Sequence, residues 1–452
     1  MVSAREAGQP HADRFHPSAA RADAAGAHVG GADTSGSAAS GIFDSRWSGA
    51  PLHVRDLGLE AGLPGGFRAA GVACGIKPSG NPDLGVLVCD GDAPASAARF
   101  TSSGTAAAPV LLCRERCRLD ALRAVLANSG CANAATGARG LDDAAKTQGA
   151  AALALAVDPA EVALASTGAI SHHLPVEAML KGILQARSRL DAHGDADFQR
   201  AIQTTDRTEK RANLELALPS GAVRVSAQCK GAGMISPRFA TMLCFIQTDA
   251  ALRPDTAELL LGVCAKRSFE RISVDGQLST NDTAILMCSG SSGVAIAPES
   301  EDELRFGEAL DALLRALAIM MVADGEGARR IARVIVRGGD ARNAEAAARA
   351  VADSPLVKAA LHGGDPNWGR IAQAVGAALP GTAPLPLDIA IEGIQVCSAG
   401  AAVPYEERAL RQAVGGPEME IEIGLPGEGA ETEVYFSDLS HEYVSVNAEY
   451  TT

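Results

Sequence analysis

Lys230-Gly-Ala-Gly-Met-Ile-Ser-Pro-Arg-Phe-Ala-Thr-Met-Leu-Cys-Phe-Ile246 changes character halfway along. Its first part is rich in glycine and small residues, a composition that tolerates unusual φ values and leaves backbone N–H groups uncovered for a ligand. From Thr241 to Ile246 nearly every residue is apolar, as in a strand covered on both faces. Just upstream, Ala212–Leu218 and Val223–Gln228 alternate with period two around Pro219-Ser220-Gly221 and predict a hairpin.

Further out, Leu84–Cys89 (LGVLVC) predicts a buried strand, and the Ala/Leu-rich stretches Arg118–Ala127 and Leu141–Val157 predict helices. Pro175 opens another helix, Asp255 caps one that runs through Phe269, and Glu301–Val322 is long and amphipathic. Asp365-Pro366 opens the helix NWGRIAQAVGAAL. The end is β-rich: Leu387–Val396, Glu418–Ile423 and Glu431–Phe436, the last two across a Pro426-Gly427 turn. Strands and helices are mixed without strict βαβ order, which argues for an α+β fold with sheets covered by helices. Residues 1–50 are Ala, Gly, Ser and His with almost no aliphatic periodicity, the composition of a disordered low-complexity tail.

At 452 residues and 47% hydrophobic content the chain is long enough for two ordinary domains or one large layered core. A net charge of −14 argues against nucleic acid or an anionic membrane as partner, since both need a basic footprint. The longest apolar runs, such as 309–323, are broken by Asp and Arg well short of the roughly 20 residues of a bilayer span. The first residues carry charges and Pro where a secretory signal would be apolar, so a cytoplasmic protein is expected. Ten cysteines occur without the paired CxxC spacing of a zinc site, so no metal is expected. Cys113 and Cys117 read as ordinary cysteines of a helix.

The motifs GxSxG, HExxH, GxxxxGK[ST] and a Rossmann GxGxxG are missing. Small, hydroxyl-rich segments stand out instead: NSGCANAATG at 128, STG at 166, TTD at 204, KGAGMISPRFATML at 230, SVDGQLSTNDT at 273, GGDPNWGR at 363 and NAEYTT at 447. Each alone is more often a turn than a site. In this order, over residues 66–452, they resemble the ornithine acetyltransferase family, the bifunctional glutamate/ornithine N-acetyltransferases.

That resemblance implies a layered αββα-type sandwich that cuts itself between Ala240 and Thr241, giving a 51–240 alpha chain and a 241–452 beta chain. Thr241 would be the nucleophile. No His lies in any of the motifs, and the freed α-amine, with a reference pKa of about 7.7–8.0, would act as its base. Thr167 and Gly168 would form the oxyanion hole, and Thr205, Lys230, Thr241, Glu326, Asn447 and Thr452 would contact substrate. Lys230 and Glu326 supply the cation and the carboxylate that a zwitterionic amino acid with a side-chain amine needs. His172 and His173 are expected to be ordinary histidines.

The implied reaction moves acetyl from N2-acetylornithine to glutamate in arginine biosynthesis. It implies no bound cofactor, admits acetyl-CoA as a second acetyl donor, and suggests a heterotetramer of two alpha and two beta chains. Three alternatives compete: a paralogue acting on another amine, an N-terminal-nucleophile hydrolase or aminopeptidase, and a binding protein that does not cut itself. The chain departs from the family pattern at Arg207, Ser171, Cys131 and in TSSGTAAAPV (101–110), which bears on the acceptor or the second donor and leaves the nucleophile untouched.

Overall fold

A computed structural model describes residues 41–236 and 242–449. Strands β1 (Val54–Asp56), β2 (Phe67–Val72), β3 (Leu84–Cys89) and β4 (Ala95–Phe100) come first. They are followed by α1 (Ala108–Arg116), β5 (Ala124–Cys131), α2 (Gly137–Leu155), β6 (Val162–Ala169), α3 (Val176–Arg187) and α4 (Asp195–Ile202). The hairpin is β7 (Lys210–Leu218) with β8 (Gly221–Lys230). Then come β9 (Leu243–Thr248), α5 (Pro254–Arg267), β10 (Ile272–Ser273), β11 (Thr283–Cys288), α6 (Glu301–Ala323) and β12 (Ile331–Arg337). The remainder is α7 (Ala341–Asp353), α8 (Pro355–Gly363), α9 (Trp368–Ala378), β13 (Asp388–Ile391), β14 (Ile394–Ser398), β15 (Ala401–Ala402), α10 (Glu407–Ala413), β16 (Glu418–Gly424), β17 (Glu431–Ser437) and α11 (His441–Glu449).

Leu243–Ile246 of the apolar stretch opens β9, inside a six-stranded sheet of order β1-β7-β8-β9-β11-β4. It pairs antiparallel with β8 and parallel with β11. Successive side chains of a strand point to opposite faces, and here both faces are cores. Cys244 and Ile246 pack with Leu261 of α5 and Phe306 and Leu313 of α6. Leu243 and Phe245 face the four-stranded sheet β2-β3-β5-β6.

Helix α4 wedges between the two sheets, with the Phe198 ring 5.3 Å from that of Phe245. Gly71 admits it, because a Cβ there would stand 1.9 Å from the Asp197 carbonyl oxygen. Helices α2 and α3 cover the far face of the four-stranded sheet, so the layers run helix, sheet, sheet, helix. A third sheet, order β10-β17-β12-β16-β13-β14-β15, packs one face on α7, α8 and α9. No described helix is long and apolar enough to cross a membrane.

Several sequence expectations need correction. The helix expected over Arg118–Ala127 is absent: α1 ends at Arg116 and Ala124 begins β5. β5 lies between β3 and β6 with Ala124 to Ala127 all buried, and burial on both faces overrides the helix propensity of Ala and Leu. Leu387–Val396 is two strands, reversing at Glu392 and Gly393, both of positive φ. β16 and β17 do not pair across the Pro426-Gly427 turn, because β12 lies between them, parallel to β16 and antiparallel to β17.

Arg253 and Asn367, rather than Asp255 and Asp365, occupy the N-cap positions of α5 and α9, and of the two only Asn367 caps with its side chain. Residues 41–50, expected as part of the tail, are anchored. Arg46 ion-pairs with Glu392 at 2.6 Å, Trp47 donates its indole N–H to Glu420 at 3.1 Å, and Ile42 is buried with Phe43 beside it. These few large apolar residues supply the contact surface that an average over 50 residues conceals.

Candidate active site

The STG segment ends β6, where its parallel pairing with β5 shifts register at Gly130 and Cys131. Gly168 has φ +122, and a Cβ on it would lie 2.4 Å from the Gly130 carbonyl carbon, so only glycine passes this crossing. Thr167, one residue earlier, is buried, and its hydroxyl oxygen accepts a hydrogen bond from the Lys230 ammonium at 3.2 Å. With that lone pair engaged, the hydroxyl keeps its own hydrogen to donate elsewhere.

Lys230 ends β8, and its ammonium is fully enclosed. Burial lowers its pKa, Asp206 pulls it back up, and Lys210 adds to the lowering. Asp206, the last residue of TTD, accepts from Lys210 at 2.8 Å and from the Gly231 N–H at 2.8 Å. Burial opposes its ionisation, but Lys210 and Lys230 outweigh burial and hold the carboxyl well below the usual range. Lys210 bridges on to Asp324 at 2.6 Å, which ties the TTD loop to the turn carrying Glu326.

Glu326 is where three distant segments meet. Thr205 donates its hydroxyl to Oε1 at 2.7 Å and Asn447 donates its amide to Oε2 at 2.7 Å. Gly233 leaves room for the carboxylate: a Cβ there would stand 2.5 Å from its carbon. Thr167, Gly168, Thr205, Lys230, Glu326 and Asn447 all line one cavity of about 140 Å³. It therefore holds an enclosed cation and a half-buried carboxylate, with two hydroxyls between distant elements.

Ala240, Thr241 and Thr452 lie outside the described residues. Met242, the residue after Thr241, is buried; it donates its N–H to Asp282 at 3.1 Å, and its carbonyl accepts from the Thr283 N–H at 3.0 Å. Burial raises the Asp282 carboxyl well above its usual range. His172 and His173 do not line this cavity. Among the described residues no group of three or more His, Cys, Asp and Glu is arranged to hold a metal ion.

Asp275, Tyr443 and Asn281 also line the cavity, and sequence reasoning did not single them out. Asp275 accepts the N–H groups of Met234 and Ile235 at 2.7 and 3.0 Å and the Tyr443 hydroxyl at 3.2 Å, so it braces the glycine-rich loop. Its signal was the SVDG motif, a turn-like sequence with a carboxylate that accepts several donors.

The departures fall around the cavity rather than in it. Arg207 lays its guanidinium on the 324–328 turn, donating to the Gly325 and Ala328 carbonyls. Ser171 has φ +67, the left-handed region where glycine is at ease. Cys131 donates its thiol to the His172 carbonyl at 3.3 Å. In the 101–110 segment, the Ala107 N–H donates to the Thr280 carbonyl at 2.8 Å, behind the cavity wall.

The ArgJ family profile matches residues 68–452. An arginine biosynthesis bifunctional protein ArgJ of Rhodopirellula baltica is 41% identical over 399 residues, covering 86% of this chain and 96% of its own. The protein of the same name from Deinococcus radiodurans is 41% identical over 393 residues, covering 86% of this chain and 98% of its own. A crystal structure of an ornithine acetyltransferase complexed with ornithine, from Mycobacterium tuberculosis, is 36% identical with a TM-score of 0.38, covering 42% of this chain and 100% of that one.

Proposed function

Since the chain belongs to the ArgJ family, we propose that its cavity carries out acetyl transfer through an ester on Thr241. The protein is an acetyltransferase of arginine biosynthesis, a glutamate N-acetyltransferase of the ornithine acetyltransferase type. The observation that carries the site assignment is the meeting of Thr167 and Lys230 with Thr205, Glu326 and Asn447 around one space.

The chemistry runs in two halves. Cleavage of the Ala240–Thr241 bond frees the Thr241 α-amine. That amine takes the hydroxyl proton as Oγ attacks the acetyl carbon of N2-acetylornithine. The tetrahedral oxyanion receives the Thr167 hydroxyl and the Gly168 N–H, donors fixed before charge develops. The amine then passes its proton to the departing nitrogen, the C–N bond breaks, and acetyl remains on Oγ. Glutamate reverses the steps: its amine attacks the ester, the C–O bond breaks, and Oγ regains a proton.

Lys230 meets the substrate α-carboxylate, which restores a counter-ion to an ammonium whose charge burial disfavours. Glu326, steadied by Thr205 and Asn447, holds the side-chain ammonium of ornithine. Thr452 completes the substrate contacts. Asp282 and Thr283 hold Met242, the residue that follows Thr241 in the chain, just ahead of β9. Acetyl-CoA serves as a second acetyl donor, two copies of each cleaved chain assemble, and the enzyme works in the cytoplasm.

Intact mass tests this directly. The cleaved protein should give pieces of 240 and 212 residues (452 less 240), and Thr241→Ala should stay at 46.1 kDa. N2-acetylornithine alone should add one acetyl to the 241–452 piece, and glutamate should remove it. A cleaved protein that no donor loads, with initial-rate plots that intersect, would mean direct transfer in a ternary complex.

A further inference from the structure

A second cavity, of about 980 Å³, lies beyond the Gly130–Gly168 crossing and shares Thr204 with the first. Its wall gathers Lys77, His172, His173 and Arg200 in a chain of net charge −14. Most cations around it are already matched: Arg200 pairs with Asp197 and Glu209, and Lys210 with Asp206 and Asp324. Lys77 is not. It is half-buried, its ammonium donates to the Pro82 carbonyl at 2.8 Å, and no carboxylate among the described residues forms an ion pair with it.

Asp83, the nearest acid in sequence, cannot take that role. Its carboxylate accepts the backbone N–H groups of Cys74, Gly75, Ile76 and Lys77 at 2.6 to 3.1 Å, which folds the loop around it. The Lys77 stem meanwhile packs on Gly130, where a Cβ would lie 3.2 Å from its Cγ. Gly130 in turn abuts Gly168. The Lys77 stem therefore lies one layer of backbone behind the Thr167–Gly168 corner. A half-buried ammonium with no carboxylate at ion-pair distance is unfavourable. Burial lowers Lys77 to about 8, Asp83 and Asp206 oppose that, and Lys230 adds to it.

We propose that this cavity binds an anionic group, phosphate or carboxylate, with Lys77 as its counter-ion, so that a molecule anchored there reaches the acyl site past Thr204. At about seven times the volume of the first cavity, the space favours a ligand larger than an amino acid. A bulky phosphate-bearing acyl donor has that size and charge. The link to acyl transfer rests on the function proposed above, whereas the anion site does not.

Isothermal titration of the full-length protein with pyrophosphate, and in parallel with glutarate, tests the site without turnover, so a failure of the transfer reading leaves its result intact. Lys77 is charged below about 8 and loses its proton above, so binding should weaken about tenfold between pH 7.5 and 9.0. The other charged and titratable groups facing the cavity, Cys131, His172, His173, Arg200, Asp206 and Glu449, and the nearby Lys230 remain in every variant below, so the variants isolate the contribution of Lys77. Lys77→Met should weaken binding at least tenfold at pH 7.5 and abolish the pH step, and Lys77→Arg should keep binding at both pH values.

Preference for pyrophosphate assigns the anion to a phosphate-bearing donor; preference for glutarate assigns it to an amino-acid carboxylate. Should the Met variant misfold, Lys77→Arg and the wild-type pH step decide. Unchanged affinity in a folded Lys77→Met, or no binding of either probe by the wild type, overturns the proposal.

Discussion

Gly233→Ala separates the function of Glu326 from the stability of the fold. Gly233 does not have positive φ, so alanine fits its backbone. The new Cβ would lie 2.5 Å from the Glu326 carboxyl carbon, against about 3.4 Å for ordinary contact, so the carboxylate must retreat by about 0.9 Å. The Thr205 and Asn447 bonds, each 2.7 Å, would then open to about 3.6 Å and be lost. The obstacle is the free end of a flexible side chain, so unfolding free energy should change by less than about 1 kcal/mol. A reactant or its anchor misplaced by about 1 Å costs on the order of a hundredfold in rate, or about 2.7 kcal/mol. Hence kcat/KM for N2-acetylornithine should fall about a hundredfold, while N2-acetylnorvaline, which lacks the side-chain amine, should lose only a few-fold. Steady-state kinetics with both donors reads the difference. Equal losses would mean general disruption of the cavity, and unchanged rates with both would mean that Glu326 does not hold the amine.

Thr167→Ala should lower kcat about a hundredfold with little change in KM, and Thr167→Ser should recover most of it; an effect confined to KM would make Thr167 a binding residue only. Ser171→Gly relieves a left-handed serine and should raise unfolding free energy by about 0.5–1 kcal/mol in denaturant titrations, whereas a loss would show that the serine is not strained. Asp206→Asn removes a counter-ion of the buried Lys210 and should destabilise by about 3–5 kcal/mol at neutral pH. The folded Asp206 carboxyl titrates below its unfolded value, so this contribution is full above about pH 4 and fades as pH drops through the lower folded value. A neutral-pH loss under about 1 kcal/mol would show that Asp324 alone satisfies Lys210.

Local pattern was a good guide where one kind of packing dominates. The β7–β8 hairpin was legible because its period-two alternation matches one geometry. It misled at β5, where Ala124, Leu126 and Ala127 are helix formers enclosed by neighbouring strands that no local window contains. It could not show β12 entering between β16 and β17, since strand order is set by pairing over nearly 100 residues. Of the residues that the family resemblance singled out, Thr167, Lys230, Thr205, Glu326 and Asn447 line one cavity. The reason Gly233 must be glycine, and the bracing by Asp275, became visible only with Glu326 and Tyr443 in three dimensions.

The order of strands in the six-stranded sheet also decides how a cut protein can come apart. A break after Ala240 falls between β8 and β9, assigning β1, β4, β7 and β8 to one polymer and β9 and β11 to the other. Since β9 and β11 lie between β8 and β4, the second polymer is hydrogen-bonded on both flanks by the first. Before the break, refolding is unimolecular and indifferent to dilution. Afterwards it requires an encounter, and its midpoint shifts with protein concentration as that of an assembly does. A denatured, diluted sample of the cut enzyme should therefore stay inactive at concentrations where the uncut Thr241→Ala chain regains its fold, and the working lifetime of the cut enzyme becomes a matter of how slowly it opens.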